Sequence, residues 1–196
     1  MDTRTSKRQR VTSETDIQLQ LNLDGSGTSR IATGLGFLDH MLASFARHGR
    51  FDLELTCQGD LHIDDHHTVE DCAIVLGEAF LEALGERRGI ERFGDAHIAM
   101  DEALVRAVVD LSGRPFAKIE LGLRREKLGD VACENLTHFF QSFAVASRNN
   151  VHIDVLEGEN DHHRAEGSFK ALAVALRRAV VRTAGSAVPS TKGILS

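Results

Sequence analysis

Six histidines and two glutamates of this chain are laid out as a matched pair of sets. Asp65-His66-His67-x-x-Glu70 returns 96 residues later as Asp161-His162-His163-x-x-Glu166. A histidine upstream of each copy repeats too, His40 in LDHMLASFA and His138 in LTHFFQSFA, 98 residues apart. On a helix, residues i and i+4 project from one face, so His66 with Glu70 and His162 with Glu166 can each grip one metal ion. Adjacent helical residues diverge by about 100°, so His67 and His163 are expected to serve different ions from their neighbours. The repeat then groups His66, Glu70, His138 and His163 at one centre, and His162, Glu166, His40 and His67 at its mate.

Each set supplies three imidazoles and one carboxylate. Nitrogen-rich sites suit Zn, Fe, Ni or Cu, and the carboxylate adds Mn or Fe(II). Around an octahedral ion four such ligands leave two positions for substrate or water, whereas a tetrahedral zinc would be closed by them. A lone His-His pair is commonly a surface accident and a lone HxxxE pair an ordinary exposed contact. Two copies in register, each with an upstream helical histidine, are not accounted for in that way. His48, His62, His97 and His152 have no mate of the same type and read as structural or surface residues.

The elements that must position these groups follow from periodicity. Ile17, Leu19, Leu21 and Leu23 alternate as in a half-buried strand, and Asp24-Gly25-Ser26-Gly27 is turn chemistry that lets Ser29–Thr33 return as a second strand. Gly36 opens a helical pattern that Gly49 stops. FDLELTC (51–57) alternates again, and His66–Leu84 runs at helical period up to Gly85. The order then repeats: a strand pair in 96–110 and 116–123 around Ser112-Gly113-Arg114-Pro115, a helix over 135–147, a strand over 151–156 and a long helix over 162–183. Each half reads β-β-α-β-α. The predicted fold is α+β: two pseudo-twofold-related α/β sandwich halves with helices packed on four-stranded sheets. The halves span 10–92 and 93–187. A disordered, basic N-terminus (1–9) precedes them, linkers occupy 86–95 and 124–133, and a tail follows at 188–196.

Bulk properties narrow the function classes. The 196 residues are 42% hydrophobic and 27% charged, enough for a globular core. A net charge of −6 argues against general nucleic-acid affinity. No apolar run approaches the roughly 20 residues of a membrane span, and MDTRTSKRQR is not followed by an apolar segment of secretory type. Cys57, Cys72 and Cys133 are odd in number and widely spaced, as expected of free thiols in a reducing cytoplasm.

Over nearly its full length the chain resembles the imidazoleglycerol-phosphate dehydratases. The matching phrases are R-x-T-x-E-T (10–15), GFLDHML (36–42), DDHHTVED (64–71), MDEALVRAVVDLSGRP (100–115), HFFQSFA (138–144), NDHHRAEGSFKALAVALRRA (160–179) and VPSTKGIL (188–195). The resemblance implies a tandem α/β sandwich of the ribosomal protein S5 domain 2 type. It also implies two Mn2+ per active site on the ligand sets above, and a homo-oligomeric 24-subunit shell with active sites between subunits. The implied reaction is a hydro-lyase step of histidine biosynthesis, imidazole glycerol phosphate to imidazole acetol phosphate, through a metal-bound imidazolate. The proton that must leave has no neighbouring carbonyl to acidify it, which is why Lewis acids are needed.

Glu14, in the RxTxET phrase, resembles the family's acid/base residue. Glu166, although better suited as a ligand, is a second catalytic candidate, with Asp101 and Lys170. Asp101 and its neighbour Glu102 read equally well as solvated strand-end charges. Arg92, Arg114, Ser190 and Lys192 resemble the phosphate-binding segments, and Lys170, one turn beyond Glu166, can reach substrate near the metals. The 188–196 tail lacks apolar periodicity, as a ligand loop would. No phosphatase domain is expected, because the matches consume the chain. Two rivals remain: a dinuclear hydrolase on the same ligands, and a metal-storage shell, which has no need of the cations.

Overall fold

The computed structural model describes residues 4–191, 193 and 195. Lys192, one of the expected phosphate contacts, lies outside them. The first half comprises β1 (Thr5–Val11), β2 (Thr15–Asn22), β3 (Ser29–Ala32), α1 (Gly36–Gly49), β4 (Asp52–Gly59) and α2 (His66–Leu84). The second comprises β5 (Phe93–Met100), β6 (Ala103–Asp110), β7 (Phe116–Glu120), β8 (Lys127–Leu128), β9 (Val131–Ala132), α3 (Cys133–Ala146), β10 (Asn150–Glu157) and α4 (Asp161–Ala179). Each half builds one open four-stranded sheet, ordered β1-β2-β4-β3 and β5-β6-β10-β7. In each, the edge strand before the first helix is parallel to the strand after it, and the other pairings are antiparallel. Helix α1 packs on α4 and α2 on α3, so helices from both halves lie between the two sheets.

The alternation of β2 is the reason it is a strand: Ile17, Leu19 and Leu21 are buried against the helices while Gln18 and Gln20 face outward. A single apolar cluster runs through both halves. At its centre Phe143 of α3 meets Phe45 of α1 and Phe80 of α2 edge-on, with centroids 6.3 and 5.9 Å away. Gly77 is required where α2 crosses α3, since a Cβ there would stand 2.7 Å from Ala146 Cβ and 2.8 Å from the Phe143 carbonyl oxygen.

Several expectations need correction. Residues 5–9 are not disordered; they belong to β1 and pair with β2 in register from Thr5 with Asn22 to Val11 with Asp16. The strand has no apolar alternation because it is a charged edge, held by carboxylates of α2: Ser6 Oγ donates to Glu82 at 2.6 Å and Arg10 pairs with Asp71. Segment 96–110 is two strands, folded at Asp101 and Glu102. Asp101 takes the left-handed conformation (φ 49°) that Asp tolerates without a Gly or Pro signal. Strands β3 and β7 pair with β4 and β10, not with the strands before them. Each four-stranded sheet therefore has one strand more than β-β-α-β-α supplies. Helix α4 ends at Ala179 rather than Thr183, because the chain beyond it turns to bond residues 89–92: Arg92 N–H donates to Ala179 O and Glu91 N–H to Val181 O. The expected 124–133 linker holds the β8–β9 hairpin, and Asp130 in its turn accepts from the Gly36 and Phe37 amides at the start of α1 (2.6 and 3.1 Å).

Asp52 closes the turn before β3. Its Oδ1 accepts from the amides of Ser26, Gly27 and Thr28 (2.8, 3.1 and 3.1 Å) and from the Thr28 hydroxyl at 2.8 Å. Burial pushes its pKa up, but these donors outweigh burial and hold it down at about 2. A carboxylate depressed in the fold stabilises above its unfolded value near 3.9 and loses that contribution as pH falls toward 2. Asp52→Ala is expected to cost about 1–3 kcal/mol at pH 7. The gap in denaturation midpoint between variant and parent should narrow as pH falls from about 4 toward 2; a gap constant with pH would contradict this account.

Candidate metal centres

Both His-His phrases open a helix, and this fixes their rings. Asp64 Oδ1 accepts from the His66 amide at 2.8 Å, and Asn160 Oδ1, the α4 N-cap, from the His162 amide at 2.9 Å. The neighbouring rings stand nearly perpendicular, 81° between His66 and His67 and 87° between His162 and His163. Among the described residues, two groups have ligand atoms within 4.8 Å of one another: His66, Glu70 and His138, and His40, His162 and Glu166. In the first, His138 Nε2 lies 3.0 Å from Glu70 Oε1 and His66 Nε2 lies 3.5 Å from Oε2. In the second, His162 and His40 Nε2 lie 3.0 and 3.3 Å from Glu166 Oε2. Each group thus joins a helix-start histidine, its i+4 glutamate and the upstream histidine that the repeat assigns to it. His67 and His163 belong to neither group.

The tautomer of His66 follows from its neighbours. Asp65 Oδ2 can only accept, so the Asn135 Nδ2 2.9 Å away donates to it and the Asn135 oxygen faces His66 Nδ1 at 3.0 Å. His66 therefore carries its proton on Nδ1 and presents a bare Nε2 toward Glu70. His67 and His163 are oriented in the same sense: Nδ1 of His67 lies 2.9 Å from Asp60, and Nδ1 of His163 lies 2.7 Å from Glu102. A carboxylate or amide oxygen behind the ring, with Nε2 forward, is how metal-binding imidazoles are positioned. The donor chemistry fits divalent ions held by His66, Glu70 and His138 and by His40, His162 and Glu166. Asn135→Leu is expected to weaken ion binding at the His66 group about 10- to 100-fold with folding intact, measured by competition with a chromophoric chelator; an unchanged affinity would show that the Asn135 bond has no part in it.

Charge suits ligation as well. Burial pushes Glu166 up, but Lys170 Nζ at 2.8 Å, with His40 and His162, holds it at about 2, so it is anionic at physiological pH. Glu102 is held at about 2 by the Asn160 amide and His163. His67 runs the other way: the Asp60 carboxylate raises its pKa, favouring the proton that an ion would have to displace.

The two second histidines have corresponding surroundings. Glu14 Oε1 lies 3.7 Å from His67 Nε2, and Asp101 Oδ2 lies 3.7 Å from His163 Nε2. The RxTxET phrase builds the turn that displays Glu14. The Thr12 hydroxyl accepts from the Glu14 and Thr15 amides (3.1 and 3.0 Å), while Arg10 and the Thr15 hydroxyl both bind Asp71.

The expected phosphate contacts do not gather here. Lys170 does, through Glu166. Arg92 is bound to Asp110 by Nε at 2.7 Å and Nη2 at 3.0 Å, and donates from Nη1 to the Pro189 carbonyl at 2.8 Å, so it anchors the tail that carries Ser190. Arg114, exposed, precedes β7 at the same end of the sheet. That end is separated from Asp101 and Glu102 by the length of β6, about 23 Å for seven strand steps. Asp60, Asn135 and the orienting use of Glu102 were missed in the sequence. Asn135 had a signal, since it stands three residues before His138 on one helix face.

Fold and site together define a duplicated α+β protein with paired candidate ion-binding centres. Residues 33–176 match the family model of imidazoleglycerol-phosphate dehydratase, and the chain belongs to that family. It is 60% identical over 187 residues to the dehydratase of Phytophthora nicotianae, covering 95% of this chain but 41% of that relative's length. It is 54% identical over 205 residues to that of Candida glabrata, covering 95% and 98% of the two. Among solved structures, the Staphylococcus aureus enzyme superposes with a TM-score of 0.83 at 37% identity, covering 91% of this chain and 99% of that one. The Pyrococcus furiosus enzyme, solved in complex with (S)-C348, gives 0.82 at 38%, covering 96% and 100%.

Proposed function

We propose that this chain is a metal-dependent hydro-lyase that converts imidazole glycerol phosphate to imidazole acetol phosphate in histidine biosynthesis. Family membership over residues 33–176 supports the reaction. The observation that carries the site is the convergence of two histidines and a glutamate at each of two centres. The atom balance is one water lost. The hydroxyl leaves the carbon attached to the ring, a hydrogen leaves the next carbon, and the resulting enol becomes the ketone. Bound divalent ions, Mn2+ in this reading, supply Lewis acidity toward ring nitrogen and hydroxyl.

The chain's own groups do the rest. Glu14, at the end of its fixed turn, takes the hydrogen from the carbon next to the ring-attached one, whose hydroxyl becomes the ketone, and returns a proton to the ring-attached carbon. Asp101 is the second candidate for protonating the departing hydroxyl. Lys170 holds the substrate's anionic end near Glu166. His163 completes the His66 centre and His67 the His40 centre from neighbouring copies. Arg92, Arg114, Ser190 and Lys192 serve phosphate in the same shared manner. Their separation from His163 by the length of β6 supports this, since no small substrate spans about 23 Å. A closed homo-oligomer, 24 copies in the family pattern, satisfies that requirement. No helix of the described residues is long and apolar enough to cross a membrane. Three buried free thiols fit a cytoplasmic location.

Incubation with imidazole glycerol phosphate and Mn2+ should yield the acetol phosphate without free phosphate. Phosphate release without the ketone would favour the hydrolase. No product from ion-loaded protein would sink the assignment.

A further inference from the structure

The duplication breaks beside the ligands at several positions, Asn135 against Phe37 among them, and at one of these a charge stands against an apolar side chain. The shift of 96 that relates Glu166 to Glu70 relates Lys170 to Ile74 (170 − 96 = 74). Lys170 Nζ lies 2.8 Å from Glu166 Oε1, and both side chains are largely shielded, at 20% and 10% exposure. Ile74 instead lines an apolar cavity of about 360 Å³ together with Glu70 and His138. The glutamates differ accordingly. At Glu70 the two histidines face different oxygens, His138 toward Oε1 and His66 toward Oε2, so both oxygens front the site. At Glu166 both histidines face Oε2, and Oε1 is taken by the ammonium.

Resting on the reading of both groups as divalent-ion centres, we propose that the two centres are unequal: the His66–Glu70–His138 centre fills first and holds its ion tightly, and the His40–His162–Glu166 centre binds weakly and exchanges its ion, with Lys170 the cause. A neighbouring ammonium repels the incoming cation and leaves the glutamate one free oxygen. Burial strengthens the attraction between carboxylate and ion, but it strengthens the repulsion from Lys170 by the same lowering of dielectric. The imidazoles do not offset the difference, because this chain gives each centre two of them, with comparable exposure.

The test is Mn2+ titration of the metal-free, full-length, assembled protein, with free Mn2+ counted by electron paramagnetic resonance. Two ions per chain are expected in two classes whose affinities differ about tenfold or more. Glu70→Gln should remove the tight class and Glu166→Gln the weak one. Lys170→Ile, which installs the first half's own residue, should tighten the weak class by about threefold or more and so narrow the gap. Ile74→Lys should weaken the tight class. Lys170→Gln carries the same comparison if the isoleucine variant folds poorly. Equal affinities in the parent, a gap untouched by both Lys170 variants, or loss of the tight class in Glu166→Gln would each overturn the ranking. Binding of fewer than two ions by the parent would overturn the two-centre reading and the ranking with it.

Discussion

Glu166→Ala is expected to strip one ion from each chain and to lower kcat/KM by about 10³-fold or more, the largest loss foreseen for any single ligand. The second centre is organised around this carboxylate. His40 and His162 both face its Oε2, and Lys170 leans on its Oε1. Truncation leaves two imidazoles and an ammonium facing one another with no anion among them, a group that repels a divalent cation. Lewis-acid stabilisation by one ion contributes several kcal/mol to a transition state, and each 1.36 kcal/mol is tenfold in rate. Elemental analysis should show one ion per chain where the parent holds two. Circular dichroism should be unchanged, because the core contacts of α4 come from Phe169, Leu172 and Leu176, not from Glu166. Full turnover with one ion missing would defeat a two-ion mechanism, and two retained ions would show that Glu166 is not a ligand.

Much of this arrangement could be read before any coordinates. Helix α1 begins and ends at the Gly36 and Gly49 that mark it in the sequence, and α2 runs from His66 to Leu84 as its apolar period requires. Both contain the pattern that burial imposes, and the ligands ride on it. That is why the repeat alone could pair Glu70 with His138 and Glu166 with His40. What escaped was structure held by charge instead of apolar contact. Strand β1 has one buried residue, Ser6, and is secured by carboxylates 61 and 76 residues away, which no local window contains. The Asp101–Glu102 turn needed neither Gly nor Pro.

Long-range geometry escaped for a different reason. Arg92 and Glu102 are ten residues apart in sequence, yet they occupy opposite ends of the β5–β6 hairpin. Their separation along the chain measures the length of the strand between them, not their distance from one site. The grouping of His163 with His66 met the same limit. Sequence symmetry can state which residues correspond, but not whether the corresponding residue comes from the same copy.

Glu14→Gln should lower kcat by about 10²- to 10⁴-fold, the range of a positioned acid/base group, while KM and the ion count stay near the parent's. The substitution is nearly isosteric. The turn is held by the backbone amides of Glu14 and Thr15 on Thr12, by the Asp60 amide on the Glu14 carbonyl (3.0 Å), and by Arg10 and Thr15 on Asp71. None of those bonds uses the Glu14 carboxylate, so the amide variant keeps the geometry and loses only the ability to take a proton. This separates catalysis from storage, since a storage shell would load ions identically and have no rate to lose. It also separates Glu14 from its counterpart. Each stands 3.7 Å from the Nε2 of a half-buried histidine, Glu14 beside His67 and Asp101 beside His163. If Glu14→Gln turned over within about threefold of the parent while Asp101→Asn fell by the larger factor, the proton would move through the second half's carboxylate, and the acid/base role of Glu14 would pass to its counterpart across the repeat.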